Sequence, residues 1–266
     1  MPTQQASQIN PRCYGSPPFQ IAVLHGGPGG AGEVAPVARE LGKRYGVLEP
    51  LQTGFSVAEQ VEELAASLKA NGACPMTLIG YSWGAWLGTL LTAHHPDLVH
   101  ALILVSSAPF TDHFAASILP TRLERLPLAA RQETLALLAQ GHLDNTSFKR
   151  LGALLSQSDI YDLDEAEENE TPVNFQADIF AKVWPEAAAL RQSGELLRRA
   201  GTLRCPLRAI HGSYDPHPIA GVRDPLSQCV KDFFCIELAH CGHTPWRERQ
   251  AKDAFYRELH MLLQQI

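Results

Sequence analysis

The chain of 266 residues has no run of about 18 or more apolar residues, so nothing in it reads as a membrane span. Its opening, MPTQQASQINPRCYG, contains no apolar stretch of the length that a secretion signal needs. Positive charge is scarce. Lys and Arg number 22 against 28 Asp and Glu, a formal net charge of -6, and this balance argues against a nucleic-acid partner. Cysteine is sparse and unpatterned: Cys13, Cys74, Cys205, Cys229, Cys235 and Cys241 form no C-x-x-C pair. Without a secretion signal they are expected to be reduced thiols in a cytoplasmic protein. No His/Cys set has zinc spacing, and His240, Cys241 and His243 are too crowded for one. There is no internal repeat and no low-complexity tract. What remains is 45% hydrophobic and 19% charged, enough to bury a sizeable core, at a length that suits one large α/β sheet with an insertion.

Apolar runs alternate with helical patterns, which predicts a mostly parallel sheet. The first strand is expected at Gln20–Leu24, followed by the glycine loop HGGPGGAG and a helix near Glu33–Leu41. A short strand follows at Tyr45–Leu48. Ser56 and Glu59 then have the spacing of a capping box at a helix start. Met76–Gly80 reads as a buried strand, Trp83–His94 as a helix and Ala101–Val105 as the next strand. From about Phe110 to Arg204 the pattern is helical, with no good strand. Strands resume at Pro206–Ile210 and Phe233–Leu238, and a last helix is expected over Trp246–Leu263. The division that follows is a core of 1–108 and 205–266 with a helical cap inserted at 109–204.

Gly80-Tyr81-Ser82-Trp83-Gly84 fits G-x-S-x-G, directly after an apolar strand and at the start of a helix. In that setting the serine sits on a sharp, strained turn that exposes its hydroxyl, and the flanking glycines make room for neighbouring backbone. A serine hydroxyl needs a general base, and the base needs a group that fixes its tautomer. Two later loops each follow a strand: His211-Gly212-Ser213-Tyr214-Asp215-Pro216 and Ala239-His240-Cys241-Gly242-His243. The expected triad is Ser82, Asp215 and His243. Asp112 is the rival acid and His240 the rival base. His211 and His217 are expected to pack or hydrogen-bond locally, and His94 and His95 to end a helix before Pro96.

Gly27-Pro28-Gly29-Gly30-Ala31-Gly32 also matches G-x-G-x-x-G, with Glu49 at the end of the next strand, the pattern of a dinucleotide site. An NAD(P)-dependent oxidoreductase is therefore one alternative. It leaves the Ser82 turn and the Asp and His loops unexplained. An acyl-transfer reading uses all of them, with the Gly27 and Trp83 backbone N–H groups as oxyanion donors. That chemistry calls for no metal and no organic cofactor.

His25-Gly26-Gly27-Pro28-Gly29, taken with Gly-x-Ser-Trp-Gly at 80–84, resembles the proline iminopeptidase branch of the α/β-hydrolase superfamily over roughly residues 20–108 and 205–250. The resemblance implies the α/β-hydrolase fold: a mostly parallel sheet, helices on both faces and an inserted helical cap. It gives Ser82, Asp215 and His243 the triad roles. It also implies a serine hydrolase of small carboxylic esters or amides, with an iminopeptidase-like aminopeptidase as one alternative and a slow-turnover receptor on the same fold as another. The few residues before His25 imply that the usual leading β-hairpin is absent or cut down. In iminopeptidases, cap glutamates hold the free amino group of the substrate. Trp184-Pro185-Glu186 is the stretch closest to that pattern, which makes Glu186 and Trp184 the candidate substrate contacts. The acidic run Asp162–Glu170, with Glu165, Glu167, Glu168 and Glu170, is the reserve. The partner expected is a small ester or short peptide, with no nucleic acid and no membrane.

Overall fold

The computed structural model describes residues 10–165 and 173–266. Elements up to the insertion are β1 (Arg12–Tyr14), β2 (Phe19–Leu24), β3 (Gly30–Ala31), α1 (Ala35–Leu41), β4 (Gly46–Glu49), α2 (Val57–Asn71), β5 (Met76–Tyr81), α3 (Trp83–His94) and β6 (Val99–Val105). The insertion carries α4 (Asp112–Ala115), α5 (Ile118–Arg125), α6 (Leu128–Leu138), α7 (Asn145–Asp159), β7 (Asn174–Phe175), α8 (Ala177–Gln192) and α9 (Glu195–Ala200). The chain then returns through β8 (Leu207–Gly212), α10 (Ala220–Cys229), β9 (Phe233–Leu238) and α11 (Lys252–Gln265).

Successive side chains on a strand point to opposite faces, and both faces of this sheet are covered. Ala22, Leu24, Leu78, Leu102 and Leu104 join one core cluster with residues of α2, α3, α8, α9 and α10. Ile21, Val23, Ile79, Ile103 and Val105 join a second, with residues of α1 and α11. The main sheet has seven strands in the order β1-β4-β2-β5-β6-β8-β9. All its pairs are parallel except β1 with β4. β1, only three residues long, is an edge strand antiparallel to β4. The chain winds outward from β2 to β4, then crosses back to β5 and on to β9. The order therefore reverses between β2 and β5, and open α/β sheets bind ligands at such a switch point, beyond the carboxyl ends of the strands.

Two expectations need correction. Ser56 Oγ accepts from Glu59 N at 3.1 Å, but the Glu59 carboxylate takes the N–H of Phe55 at 2.7 Å rather than that of Ser56, so the box is not reciprocal. The insertion also contains a strand. β7 pairs antiparallel with β3, Gly30 opposite Phe175 and Ala31 opposite Asn174. Two residues are too few for a period to register, and the partner is a glycine loop, not an apolar run. The two halves of the insertion pack differently. Ile179, Val183, Ala187, Leu196 and Ala200 of α8 and α9 belong to the large core cluster with α3. α6 and α7 share a small cluster of their own built on Leu137, Leu151 and Leu154. Among the described residues, no helix is long and apolar enough to cross a membrane.

Candidate active site

The loops after β2, β5, β8 and β9 meet beyond the carboxyl end of the sheet, beneath the insertion. Between sheet and insertion lies a cavity of about 620 Å³, lined among others by Gly27, Glu33, Ser82, Trp83, His217 and His243.

Ser82 is the residue between β5 and α3, with φ 51° and ψ -113°. A side chain at positive φ is strained, and the surroundings fix it there. Ser82 N donates to Val105 O at 3.0 Å, and Ala85 N donates back to Ser82 O at 3.1 Å. The flanking glycines are required: a Cβ on Gly80 would stand 2.3 Å from Gly84 O, and one on Gly84 would stand 2.4 Å from Leu24 O. The turn thus holds α3 tightly against the end of the sheet.

Asp215 and His243 are brought together. His243 Nδ1–H donates to Asp215 Oδ2 at 2.8 Å, and both side chains are buried. A carboxylate only accepts, so it keeps the proton on Nδ1 and leaves Nε2 of neutral His243 with a free lone pair. Burial opposes the charge on Asp215, yet His243, His217 and His211 together hold its carboxyl well below the usual range. Burial likewise disfavours an imidazolium at His243, and Asp215 outweighs it, so its pKa rises above the ordinary histidine value. His243 is held in place by its own N–H, which donates to Asp159 O at 2.7 Å, and by the Tyr81 ring at 5.1 Å.

His217 does pack and hydrogen-bond locally, but inside the site. Its Nδ1–H donates to Asp215 Oδ1 at 2.8 Å, its backbone N–H donates to the same oxygen at 2.9 Å, and its ring stacks on His243 with centroids 4.3 Å apart. His211 Nε2–H donates to the His217 carbonyl at 2.7 Å. Asp215, His217 and His243 place possible ligand atoms within 4.8 Å of one another. Their mutual hydrogen bonds already account for that closeness.

The other sequence candidates fall apart spatially. Asp112 is exposed and pairs with Arg191 Nε at 3.0 Å. His240 is exposed, at φ 53°, against the Tyr161 ring. Trp184 lines the cavity and stacks between Trp86 and Phe180, with centroids 6.0 and 5.9 Å away. Glu186 does not reach that cavity. Its Oε2 accepts from Val57 N at 2.8 Å, at the first turn of α2. Residues two apart on a helix point in nearly opposite directions, so a helical Trp-Pro-Glu cannot present both ends to one cavity. In the acidic run, Asp162 and Asp164 are engaged by Arg249 and Lys252, while Glu167, Glu168 and Glu170 lie outside the described residues.

Gly27, at φ 109°, and Trp83 both border the cavity. The Trp83 indole is engaged elsewhere, its Nε1 donating to Gln60 Oε1 at 3.0 Å. The glycine loop is engaged by the insertion: Gln176 N donates to Gly29 O at 2.9 Å, and a Cβ on Gly29 would stand 2.5 Å from Gln176 O. Glu49, the expected ribose partner, instead accepts from Tyr14 Oη at 2.7 Å and pairs with Arg12 at the β1 edge.

Sequence reasoning missed Glu33 and the pairing of Arg122 with Asp159. Glu33 marked only an approximate helix start, yet it lines the cavity, and burial pushes its carboxyl up to about 7 against the pull of His243, Arg247 and the Gly26 N–H. Arg122 binds Asp159 through two hydrogen bonds, at 2.8 and 2.6 Å. A lone Glu before Val34, or an Arg 37 positions from its Asp, carries no local pattern that could have announced either role.

Comparison with known proteins agrees with this architecture. The profile of the family described as alpha/beta hydrolase fold matches residues 21–249. A protein of Klebsiella pneumoniae (strain 342), described as a candidate carbamate hydrolase, RutD, is 37% identical over 57 residues, a stretch that spans 21% of this chain and 21% of that one. The solved structure of VinJ overlays with a TM-score of 0.71 at 18% identity, over 96% of this chain and 94% of its own. Proline iminopeptidase of Mycobacterium smegmatis overlays with a TM-score of 0.62, also at 18%, over 96% and 94%. At such identity the two structures speak for the fold alone, and the iminopeptidase branch is only one of many neighbours. The profile covers most of the chain, and on it the chain belongs to the alpha/beta hydrolase fold family.

Proposed function

We propose that the protein is a serine hydrolase of a small carboxylic ester or amide, working through Ser82, His243 and Asp215 and an acyl-enzyme. The observation that carries this reading is the buried hydrogen bond from His243 Nδ1–H to Asp215 Oδ2, 2.8 Å, beside a cavity that Ser82 and His243 share. His243 Nε2 takes the hydroxyl proton as Ser82 Oγ attacks the carbonyl carbon. The Gly27 and Trp83 N–H groups hold the oxyanion. His243 returns the proton to the leaving oxygen or nitrogen as that bond breaks, and the acyl group stays on Ser82. Water then attacks the ester and gives a proton to His243, which passes it to Ser82 Oγ as the acyl–oxygen bond breaks and the acid leaves, while Asp215 keeps the imidazole in one tautomer and stabilises its charged form.

We assign substrate selection to the inserted helices within 109–204. Their contribution to the cavity is mainly apolar and aromatic, with Leu151, Phe148, Phe180 and Trp184 among the walls and Gln140, His142 and Ser156 as polar exceptions. Arg122, the cation there, is already taken by Asp159. This supports an uncharged, apolar group on the substrate over an anionic one. The six cysteines are free thiols, in keeping with the cytoplasm as the place of action.

A specific observation keeps the aminopeptidase reading in view: the Glu33 carboxyl in the same cavity. It could hold an ammonium group where Glu186 cannot. Fluorophosphonate labelling of wild type and Ser82→Ala tests the first reading, and labelling that persists in the variant sinks it. A screen of p-nitrophenyl esters beside aminoacyl-arylamides tests the second. Arylamide turnover that falls at least about tenfold in Glu33→Gln, with ester turnover kept, supports the aminopeptidase. Repeated turnover on any ester separates an enzyme from a receptor.

A further inference from the structure

Asp215 is bound by more imidazoles than a triad uses. His243 Nδ1–H takes its Oδ2, His217 Nδ1–H takes its Oδ1, and His211 Nε2 stands 3.4 Å from Oδ2. His217 is held rigidly for this. Pro216 and Pro218 flank it, and a following proline disfavours helical backbone. His211 clamps its carbonyl. Its ring lies against His243 at an interplanar angle of 27°.

We infer that His217 is a positioning residue for His243: by donating to the second oxygen of Asp215 it fixes the carboxylate's rotation and draws off part of its charge, and so limits how basic His243 becomes. The inference rests on the hydrolase reading above. The physics is a competition for one negative charge. A hydrogen bond to a carboxylate stabilises that charge, and what one donor takes weakens the attraction left for an imidazolium on the other side. His217 acts as the neutral donor, since burial, with the neighbouring His243 as the next cause, pushes its pKa down to about 4. It therefore stays uncharged when His243 takes the serine proton, and two stacked imidazolium rings are avoided. The other ionisable groups around His243 come from separate elements: Tyr81 from β5, Glu33 from the glycine loop, Asp159 from α7 and Arg122 from α5. None of these reaches Asp215 Oδ1 by a hydrogen bond of the kind His217 makes.

The test separates the donor from the ring. His217→Phe keeps an aromatic ring against His243 and deletes the N–H. His217→Asn keeps an N–H at the position of Nδ1 and deletes the ring. The titration midpoint of His243 is read by NMR on the histidine-labelled full chain, and the acid limb of kcat/KM on a p-nitrophenyl ester is read beside it. Without the donor the full charge of Asp215 acts on His243. Its midpoint should then move up by about half to one pH unit, roughly a three- to tenfold gain in proton affinity, and the acid limb should move with it. In His217→Asn both should stay near wild type. An unmoved midpoint in His217→Phe overturns the inference, as does an equal shift in both variants, or a change confined to KM. If His217→Phe fails to fold, His217→Ala replaces it. If that fails too, His217→Asn decides alone: a wild-type midpoint supports the inference and a displaced one overturns it. Absence of both labelling and turnover would defeat the hydrolase reading, while the NMR midpoint would still report on His217.

Discussion

The two walls of the cavity are built on different principles. The sheet side consists of loops at the ends of β2, β5, β8 and β9. Its backbone takes unusual conformations, positive φ at Gly27 and Ser82, and its polar side chains are tied to one another and to neighbouring backbone. The insertion side consists of α5, α6, α7 and α8 and offers mainly leucine and aromatic surface. Its α5, α6 and α7 part is also the more loosely built, whereas α8 is anchored in the large core cluster. Its own cluster rests on three buried leucines, and Leu119, Leu128, Leu135 and Leu138 remain at least 40% exposed, whereas the sheet side stands on the two large core clusters. Chemistry that tolerates little displacement sits on the rigid wall. On the function proposed above, the wall that can differ without disturbing it is the one that would meet the variable part of a substrate.

The strongest way to break this comparison is to remove chemistry from the rigid wall. Ser82→Ala should lower kcat by roughly a millionfold on any ester the protein turns over, with thermal unfolding unchanged. Retention of more than about a tenth of the activity would mean that the strained turn serves some other purpose. Asp215→Asn follows, at about ten-thousandfold, because the amide favours the wrong tautomer of His243 and cannot stabilise its charge. Asp112→Asn is the control from the insertion side. Asp112 is more than half exposed and its pairing with Arg191 is screened by solvent, so activity should stay within about twofold of wild type. If the two variants exchanged behaviour, the acid would belong to the loop after β6.

The same contrast governs what could be read from the chain. Trp83–His94 and Phe233–Leu238 were expected as a helix and a strand and were found with those bounds. A continuous apolar run closed by glycine or polar residues leaves a buried element little choice of position. The loops that meet at the site were legible because each follows such a strand and carries a residue type the chemistry needs. The insertion was not. The two-residue β7, the Arg122–Asp159 pair and the seat of Glu186 on α2 all depend on contacts across long sequence separation, which no local period encodes. Glu33 and His217 are intermediate. They sit next to recognisable motifs, but their roles follow from burial and from the rotation of one carboxylate.

A further variant probes the seam where the walls join. Glu248 is buried, and its carboxylate accepts from Tyr161 N at 2.9 Å, Asp162 N at 2.8 Å and Gly242 N at 2.7 Å. It therefore ties the segment after α7 to the loop that carries His243. Glu248→Ala leaves three backbone donors without this partner and should cost about 2–4 kcal/mol of stability, read from denaturant unfolding. Activity per folded molecule should fall as well, because His243 N also depends on that segment through Asp159 O. A stable variant with normal kinetics would show that the two walls are independent.

The smallest effect is expected at Glu186, and it sharpens the comparison most, because sequence resemblance and structure disagree there. As a substrate contact, Glu186 would have to change arylamide turnover far more than ester turnover. As placed, its carboxylate accepts from Val57 N at 2.8 Å, where the unsatisfied N–H groups and the dipole of α2 favour a negative charge. Glu186→Gln keeps an oxygen for the Val57 N–H but removes the charge. On an exposed surface that should cost about 0.3–1 kcal/mol, seen as a small drop in the unfolding midpoint that added salt diminishes. Ester and arylamide rates should stay in the same ratio as in wild type, because Glu186 does not line the cavity that Ser82 and His243 share. Glu33→Gln, made beside it, changes a carboxyl that does face the cavity. A selective arylamide loss in Glu186→Gln and none in Glu33→Gln would return the substrate contact to the Trp-Pro-Glu stretch and require α8 to turn its other face to the cavity. The reverse pattern would place discrimination on the glycine loop, next to Gly27, and leave the insertion to supply apolar volume.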